Sequence, residues 1–303
     1  MWFKNLQLYR LPQPWAMTAA EVEEKLAKHR FQPCGSQDPH SEGWVAPVDW
    51  DERLVYEQNG QWLIALGGED RLLPASVVRQ EVNERAQVQA ETQGFRPGRK
   101  QMQTIKEEVL QEFLPRAFTR RSRMYAWIDP HNGWLAIDAS SPTRGERLLE
   151  ALHDAIVPLP VRLLRTERSP AAVMTQWLLA GEASEGFTLD CDCELRAVNE
   201  EKSTVRYLRH PLEAPEIRAH LQAGKQPVRL GLVLQDRVAV TLTDKGELKK
   251  LAFLDVVRES LESLDENDAA AVFDAEFLLM TAELQTLLAA LVAALGGESK
   301  ASA

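Results

Sequence analysis

Cysteine is scarce in this sequence. Cys34, Cys191 and Cys193 are too few, and odd in number, to make a disulfide framework, and they fit a reducing compartment. Cys191-x-Cys193 has no second cysteine pair to complete the four ligands of a zinc site, so no metal is expected. A Gly-x-Gly-x-x-Gly turn and a P-loop are both missing, which leaves dinucleotide binding and triphosphate hydrolysis without a foothold; no cofactor is expected. There is no helix-turn-helix or finger pattern, so base reading in a major groove is not indicated. The opening MWFKNLQLYRLPQPW lacks the apolar centre and small-residue cleavage site of a signal peptide. The longest apolar run, Thr286–Gly297, is shorter than the ~20 residues that span a bilayer. No repeat of solenoid period is present. These absences predict a soluble intracellular chain with no membrane partner.

What the sequence does have is positive charge in one place. The chain of 303 residues carries a net charge of −10. Between Gly94 and Tyr125, however, eight basic residues (Arg96, Arg99, Lys100, Lys106, Arg116, Arg120, Arg121, Arg123) face three acidic ones, so this window is +5 and the remainder −15. An acidic protein that gathers cations in one stretch has a directed field, and a polyanion is its natural target. At the centre lies EFLPRAFTRRSRMYAWID, in which Phe118 sits among arginines with no core-facing period to explain it. Lys225, Arg229, Lys249 and Lys250 add positive charge further along. A negative net charge does not exclude nucleic acid, because phosphate contacts need only a local basic surface.

An apolar fraction of 45% is ample for two or three packed units. Hydrophobic periodicity predicts an α+β fold with antiparallel or mixed sheets and helices on one face. Residues 1–73 with 115–165 form a central body, 74–114 a projecting helical-hairpin arm, and 166–303 a second α+β unit. Asn59-Gly60, Asn132-Gly133 and Asp244-Lys-Gly246 mark tight hairpins. Residues 31–47, dense in Gly, Pro, Ser and Asp, predict a compact loop anchored by Trp44. Ser76–Thr92 has a thin stripe of Val77, Val78, Val82, Ala86 and Val88, as suits an arm. Thr104–Leu114 is its return helix. Ala275–Leu295 is apolar on most sides, which requires either a large core or a covering partner. An acidic stretch, Asp265–Asp268, precedes it, and 298–303 reads as a loose tail.

Several groupings invite a catalytic reading. Asp190, Asp192 and Glu194 alternate along a strand, so all three face one way, as a two-metal nuclease would need. The same alternation describes any strand with one wet face, with Leu189, Cys191, Cys193 and Leu195 inward. Cys34 with His40 is a conceivable pair, but no signature of an acyl-transfer enzyme surrounds it; His131 and Asp138 fall in a turn and at a strand end, where such residues are ordinary. His29 has no partner in sequence. No catalysis is expected.

The segments WFKNLQLYRL, FQPCGSQDPHSEGWVAP, LPRAFTR with its following WID, QWLLAGEASEGF, GELKKL and FDAEFLLMTAELQTLLAALVAALGGE together resemble one family from end to end: the bacterial recombination-associated RdgC proteins. Two departures are visible. Ala282 stands where a glycine is expected, and the arm turn is less lysine-rich than in enteric members. The resemblance implies a ring-shaped homodimer in the cytoplasm, associated with the nucleoid, with a broad base contact and a smaller gate. Duplex DNA passes through a positively lined hole without sequence preference, and RecA filament formation is antagonised. It places Arg116 and Phe118 at the gate and DNA contact, with Arg209 and His210 as a further gate pair. The base contact falls to the apolar helix, through Phe277, Leu284, Leu288 and Leu291. Direct contact with the recombinase, or a metal-dependent nuclease, are the alternatives.

Overall fold

The computed structural model describes residues 1–212, 215–261 and 268–299. The acidic stretch at 265–267 and the tail from 300 onward lie outside them. Among the described residues, twelve strands and eight α-helices follow one another. The first half contains β1 (Leu6–Arg10), α1 (Ala19–Ala27), β2 (His40–Val45), β3 (Val55–Gln58), β4 (Gln61–Arg71), α2 (Ala75–Gln93), α3 (Arg99–Phe113), β5 (Thr119–Asp129), β6 (Trp134–Asp138), α4 (Pro142–Ala155) and β7 (Arg162–Leu163). The second half contains α5 (Pro170–Ala180), β8 (Phe187–Ala197), β9 (Thr204–Tyr207), α6 (Pro215–Gln222), β10 (Lys225–Leu234), β11 (Val238–Thr243), β12 (Leu248–Phe253), α7 (Asp255–Arg258) and α8 (Ala269–Ala294).

The fold is α+β, built on one large open antiparallel sheet ordered β2-β4-β5-β6-β1-β12-β11-β10-β8-β9, with β3 beside β4 and β7 beside β1. The two halves meet at β1. It pairs with β6 through five residues, but with β12 only at Leu6 and Leu248. A further backbone bond crosses this seam, from the Leu251 amide to the Lys4 carbonyl at 2.8 Å.

Helices cover both faces of the first half, not one as the periodicity predicted. Val22 and Leu26 of α1 and Leu148 and Leu152 of α4 join Ile64, Leu66, Ala126 and Ile128 on one side of the sheet. Leu63, Trp127, Trp134 and Ala136 point the other way, into a larger cluster shared with α5, α6 and α8. The reason is that β4 is buried along its first seven residues, as a strand covered on both faces must be. In the second half, the helices contribute only to that larger cluster, so the opposite sheet face carries polar side chains.

The hairpin α2–α3 has its own small core of Val78, Val82, Ala86, Ile105 and Val109. Val77 and Val88, expected on the same stripe, are exposed. Residues 40–45, expected as loop, form β2, in register with β4 over six pairs; Trp44 is fully buried, as the anchor reading required. At the β3–β4 turn Asn59 and Gly60 both have positive φ, 51° and 72°, which a two-residue turn matched to strand twist demands.

The apolar helix begins at Ala269, six residues before its predicted start, and is long and apolar enough to cross a membrane by length and composition. Here Phe277, Met280, Leu284, Leu287, Leu288 and Leu291 are inserted into the main cluster. Phe277, Leu284, Leu288 and Leu291, expected at the base contact, are buried in the chain's own core. The outward flank of α8 is instead the stripe Ala282, Thr286, Ala289 and Ala293.

Candidate nucleic-acid interface

The arginine-rich stretch is a strand end. Leu114–Arg116 makes a single 3-10 turn after α3, and β5 starts at Thr119. Phe118, between them, is 84% exposed, while its carbonyl accepts from the Leu72 amide at 2.7 Å. The β4–β5 register sets Arg121 opposite Glu69 and Arg120 opposite Asp70. The ion pairs follow: Arg121–Glu69 at 2.8 Å, Arg120–Asp70 at 3.8 Å, Arg123–Asp49 at 2.7 Å and Arg116–Glu112 at 3.9 Å. Because side chains alternate along a strand, Arg121 and Arg123 share one face, where they line a groove of about 360 Å³ with Phe31 and Asp49. Arg120 points to the other face.

Arg96, Arg99 and Lys100 lie exposed at the α2–α3 turn. Gly94 closes α2 in the left-handed conformation, and α3 starts at Arg99, so Arg99 and Lys100 occupy its first turn, with no acidic residue there. Cations at that end add to the positive end of the helix dipole, a combination that favours an anion.

A second basic site, which the linear charge count passes over, lies on the polar sheet face of the second half. Glu194 on β8 is directly opposite Arg206 on β9 and Arg229 on β10. Its carboxylate is 6% exposed and is reached by Arg206 at 2.7 Å, Arg196 at 3.1 Å and Arg229 at 3.8 Å. Burial pushes the Glu194 carboxyl up, but the hydrogen bonds and charge of Arg206, with Arg229 and Arg196, outweigh it and hold the carboxyl below its ordinary range. Arg206 and Arg229 join Lys249 and Lys250 around a cleft of about 370 Å³. Lys249 reaches Glu247 at 3.4 Å and the Ser140 carbonyl at 3.1 Å, and Lys250 reaches Asp192 at 3.3 Å. The structure thus brings Arg229, Lys249 and Lys250 together. Lys225 stands apart, bonded to the Ser203 hydroxyl at 2.7 Å. Sequence reasoning passed over Arg206. The signal available was an arginine alternating with apolar residues on the strand that follows a Glu-bearing one.

Arg209 has positive φ, 52°, and its amide donates to Asp192 at 3.1 Å. The His210 ring lies tilted against Tyr207, 5.2 Å between ring centres, and 3.3 Å from Glu216.

The three carboxylates of β8 do not converge: Asp192 and Glu194 open on the same cleft, and Asp190 lies beside Gly231. The β8–β10 register slips between Leu230 and Leu232, whose partners are Cys193 and Leu189, so β8 bulges through Asp190–Asp192. Asp190 accepts from the Cys191 amide, Asp192 pairs with Lys250, and Glu194 is held by arginines. Cys191, expected inward, is exposed, while Cys193 is buried and its thiol is pushed up to about 12 by burial and by Glu194. Among the described residues no three His, Cys, Asp or Glu side chains group to hold a metal ion. His40 bonds Asp70 at 2.7 Å, whereas Cys34 lies against the Glu69 carbonyl at 3.2 Å. Asp138 ends β6 while His131 lies in the turn before it; Asp138 accepts the Asn5 amide at 2.9 Å.

A family model described as "Putative exonuclease, RdgC" matches residues 1–298. The recombination-associated protein RdgC of Dechloromonas aromatica (strain RCB) is 50% identical over 301 residues, covering 98% of each chain. That of Janthinobacterium sp. (strain Marseille) is 48% identical over 298 residues, covering 98% of this chain and 99% of its own. That of Cupriavidus necator is 46% identical over 301 residues, covering 99% of this chain and 100% of its own.

Proposed function

The chain belongs to the RdgC family of recombination-associated proteins, and from that premise we propose that it binds double-stranded DNA without reading sequence, encircles the duplex as a closed homodimer, and limits RecA access. It acts in the cytoplasm, on the nucleoid, by occupying DNA and not by catalysis. The observation that carries this reading is the cleft of Arg206, Arg229, Lys249 and Lys250 on an uncovered sheet face of a chain whose net charge is −10. Arginines fixed on strands grip phosphates and carry no base information. The exposed cations of the α2–α3 turn and the end of β5 extend the same chemistry, and Phe118 suits an apolar contact across a gate, beside Arg209 and His210.

Binding of fluorescent duplexes across a salt series tests the reading. Affinity falls linearly in a log–log plot, because each phosphate contact releases counterions, and defined and random sequences give one line. Salt-insensitive binding overturns it. Sedimentation over a concentration series gives a dimer; a monomer throughout removes the ring. Phe118→Ala leaves the dimer intact and alters DNA binding, and dissociation would move the main contact to Phe118. Labelled duplex stays intact with Mg²⁺ or Mn²⁺; degradation would favour the nuclease alternative suggested by the family description. RecA inhibition that survives a large excess of DNA would favour direct contact with the recombinase.

A further inference from the structure

Glu69 and Glu194 are a matched pair of buried carboxylates. Each side chain is 6% exposed, and each stands on a strand with an arginine directly opposite. One arginine, Arg121, suffices for Glu69. Glu194 receives three, from β8, β9 and β10. Compensation of a buried charge therefore does not explain the extra two.

The geometry shows what they are free to do. Arg206 uses Nε at 3.0 Å and one terminal nitrogen at 2.7 Å on the same Glu194 oxygen, which fixes the plane of its guanidinium. Arg229 is 3.8 Å away, beyond hydrogen-bond range, so its charge is attracted while its donors stay available. Around the cleft Arg206, Arg229, Lys249 and Lys250 contribute four positive charges against two negative ones from Asp192 and Glu194, leaving +2. Arg196 and Glu247, which reach the same groups from just outside, cancel each other.

We infer that Glu194 is a positioning residue: it holds Arg206 and Arg229 as a preformed seat for a backbone phosphate of duplex DNA, with Lys249 and Lys250 closing the cleft. The inference rests on the duplex-binding reading above. Ordering long cationic side chains in advance removes part of the cost of ordering them on binding. The carboxylate assists phosphate binding although its own charge opposes it.

That opposition makes the test decisive. Charge alone predicts that Glu194→Gln tightens duplex binding, because a negative charge is removed from beside the phosphate. The seat predicts the reverse: about tenfold weaker binding at fixed salt, the size of one charge-assisted hydrogen bond. Glu194→Asp, which keeps the charge, restores part of the affinity. Arg206→Ala lowers the salt slope by about one unit. Arg206→Lys keeps the charge on an exposed side chain but loses the fork that grips the carboxylate, and binds about three- to tenfold more weakly. This variant decides the matter if Glu194→Gln proves misfolded by circular dichroism. Folded Glu194→Gln with unchanged or tighter binding, or Arg206→Lys with wild-type affinity, overturns the seat. If the unaltered protein shows no salt-dependent duplex binding, the broader reading fails; if it does and the variants match it, only the seat fails.

Discussion

The end of β5 and the Glu194 cluster are opposite solutions to holding arginines on a strand. At the end of β5 each cation meets its own carboxylate: Arg120 has Asp70, Arg121 has Glu69, Arg123 has Asp49. Around Glu194 three cations share one. The first region is the most basic in sequence and is balanced in space, because antiparallel pairing delivers Glu69 and Asp70 from β4 and the segment after β2 adds Asp49. The second is ordinary in sequence and holds a surplus in space. Charge along a chain and charge on a surface are thus separate quantities, and strand register connects them.

The largest effect that could break this contrast comes from paired substitutions. Arg206→Ala with Arg229→Ala lowers the salt slope of duplex binding by about two units. Arg121→Ala with Arg123→Ala lowers it by less than about one unit, since their partner carboxylates already occupy them. Equal losses would erase the distinction. Asp49→Asn comes next and has the opposite sign: Asp49 is 80% exposed, so its removal frees Arg123 without disturbing the core and tightens binding roughly two- to fivefold, the range of an exposed ion pair. A weaker complex would mean that the pair itself positions Arg123.

Acid sharpens the comparison further. The depressed Glu194 carboxyl contributes stability above the unfolded-state glutamate value, and this is lost as pH falls through its lower folded value. Thermal melts of Glu194→Gln accordingly depend less on pH in that acidic window than melts of the unaltered protein; parallel curves would detach Glu194 from the acid response. The smallest effect is chemical. A thiol reagent at neutral pH modifies exposed Cys191 and spares Cys193, which is buried with its thiol pushed up to about 12. Equal labelling by mass spectrometry would deny the bulge that separates them.

Much of the fold was legible because local chemistry dictates it. Asn59-Gly60 and Asn132-Gly133 form the turns they predict, and α4 has Leu148 and Leu152 inward as its period requires. β2 was not legible: Gly43 and its polar neighbours look like loop, and what makes them a strand is six pairs with β4. Arg120, Arg121 and Arg123 offer no inward apolar side in sequence, yet pairing extends through them to Thr119. In the candidate site, Arg229, Lys249 and Lys250 are recognisable by type. Glu194 reads as one of three carboxylates on a wet face, and the bulge at Asp190–Asp192 leaves no mark in alternation. Its arginines come from neighbouring strands, a relation that only register supplies.

The seam at β1 bears on how the molecule is made. β1 pairs across to β12, far along the chain, and the Phe3 amide donates to the Met280 sulfur of α8 at 3.3 Å. Leu63 and Trp127 wait for the same helix. A growing chain therefore carries an unfinished apolar layer until α8 has been made, and such long-range closure is slow and open to aggregation. A chain stopped before Ala269 lacks the element that covers both halves, so premature termination yields an adhesive fragment and not a smaller working protein.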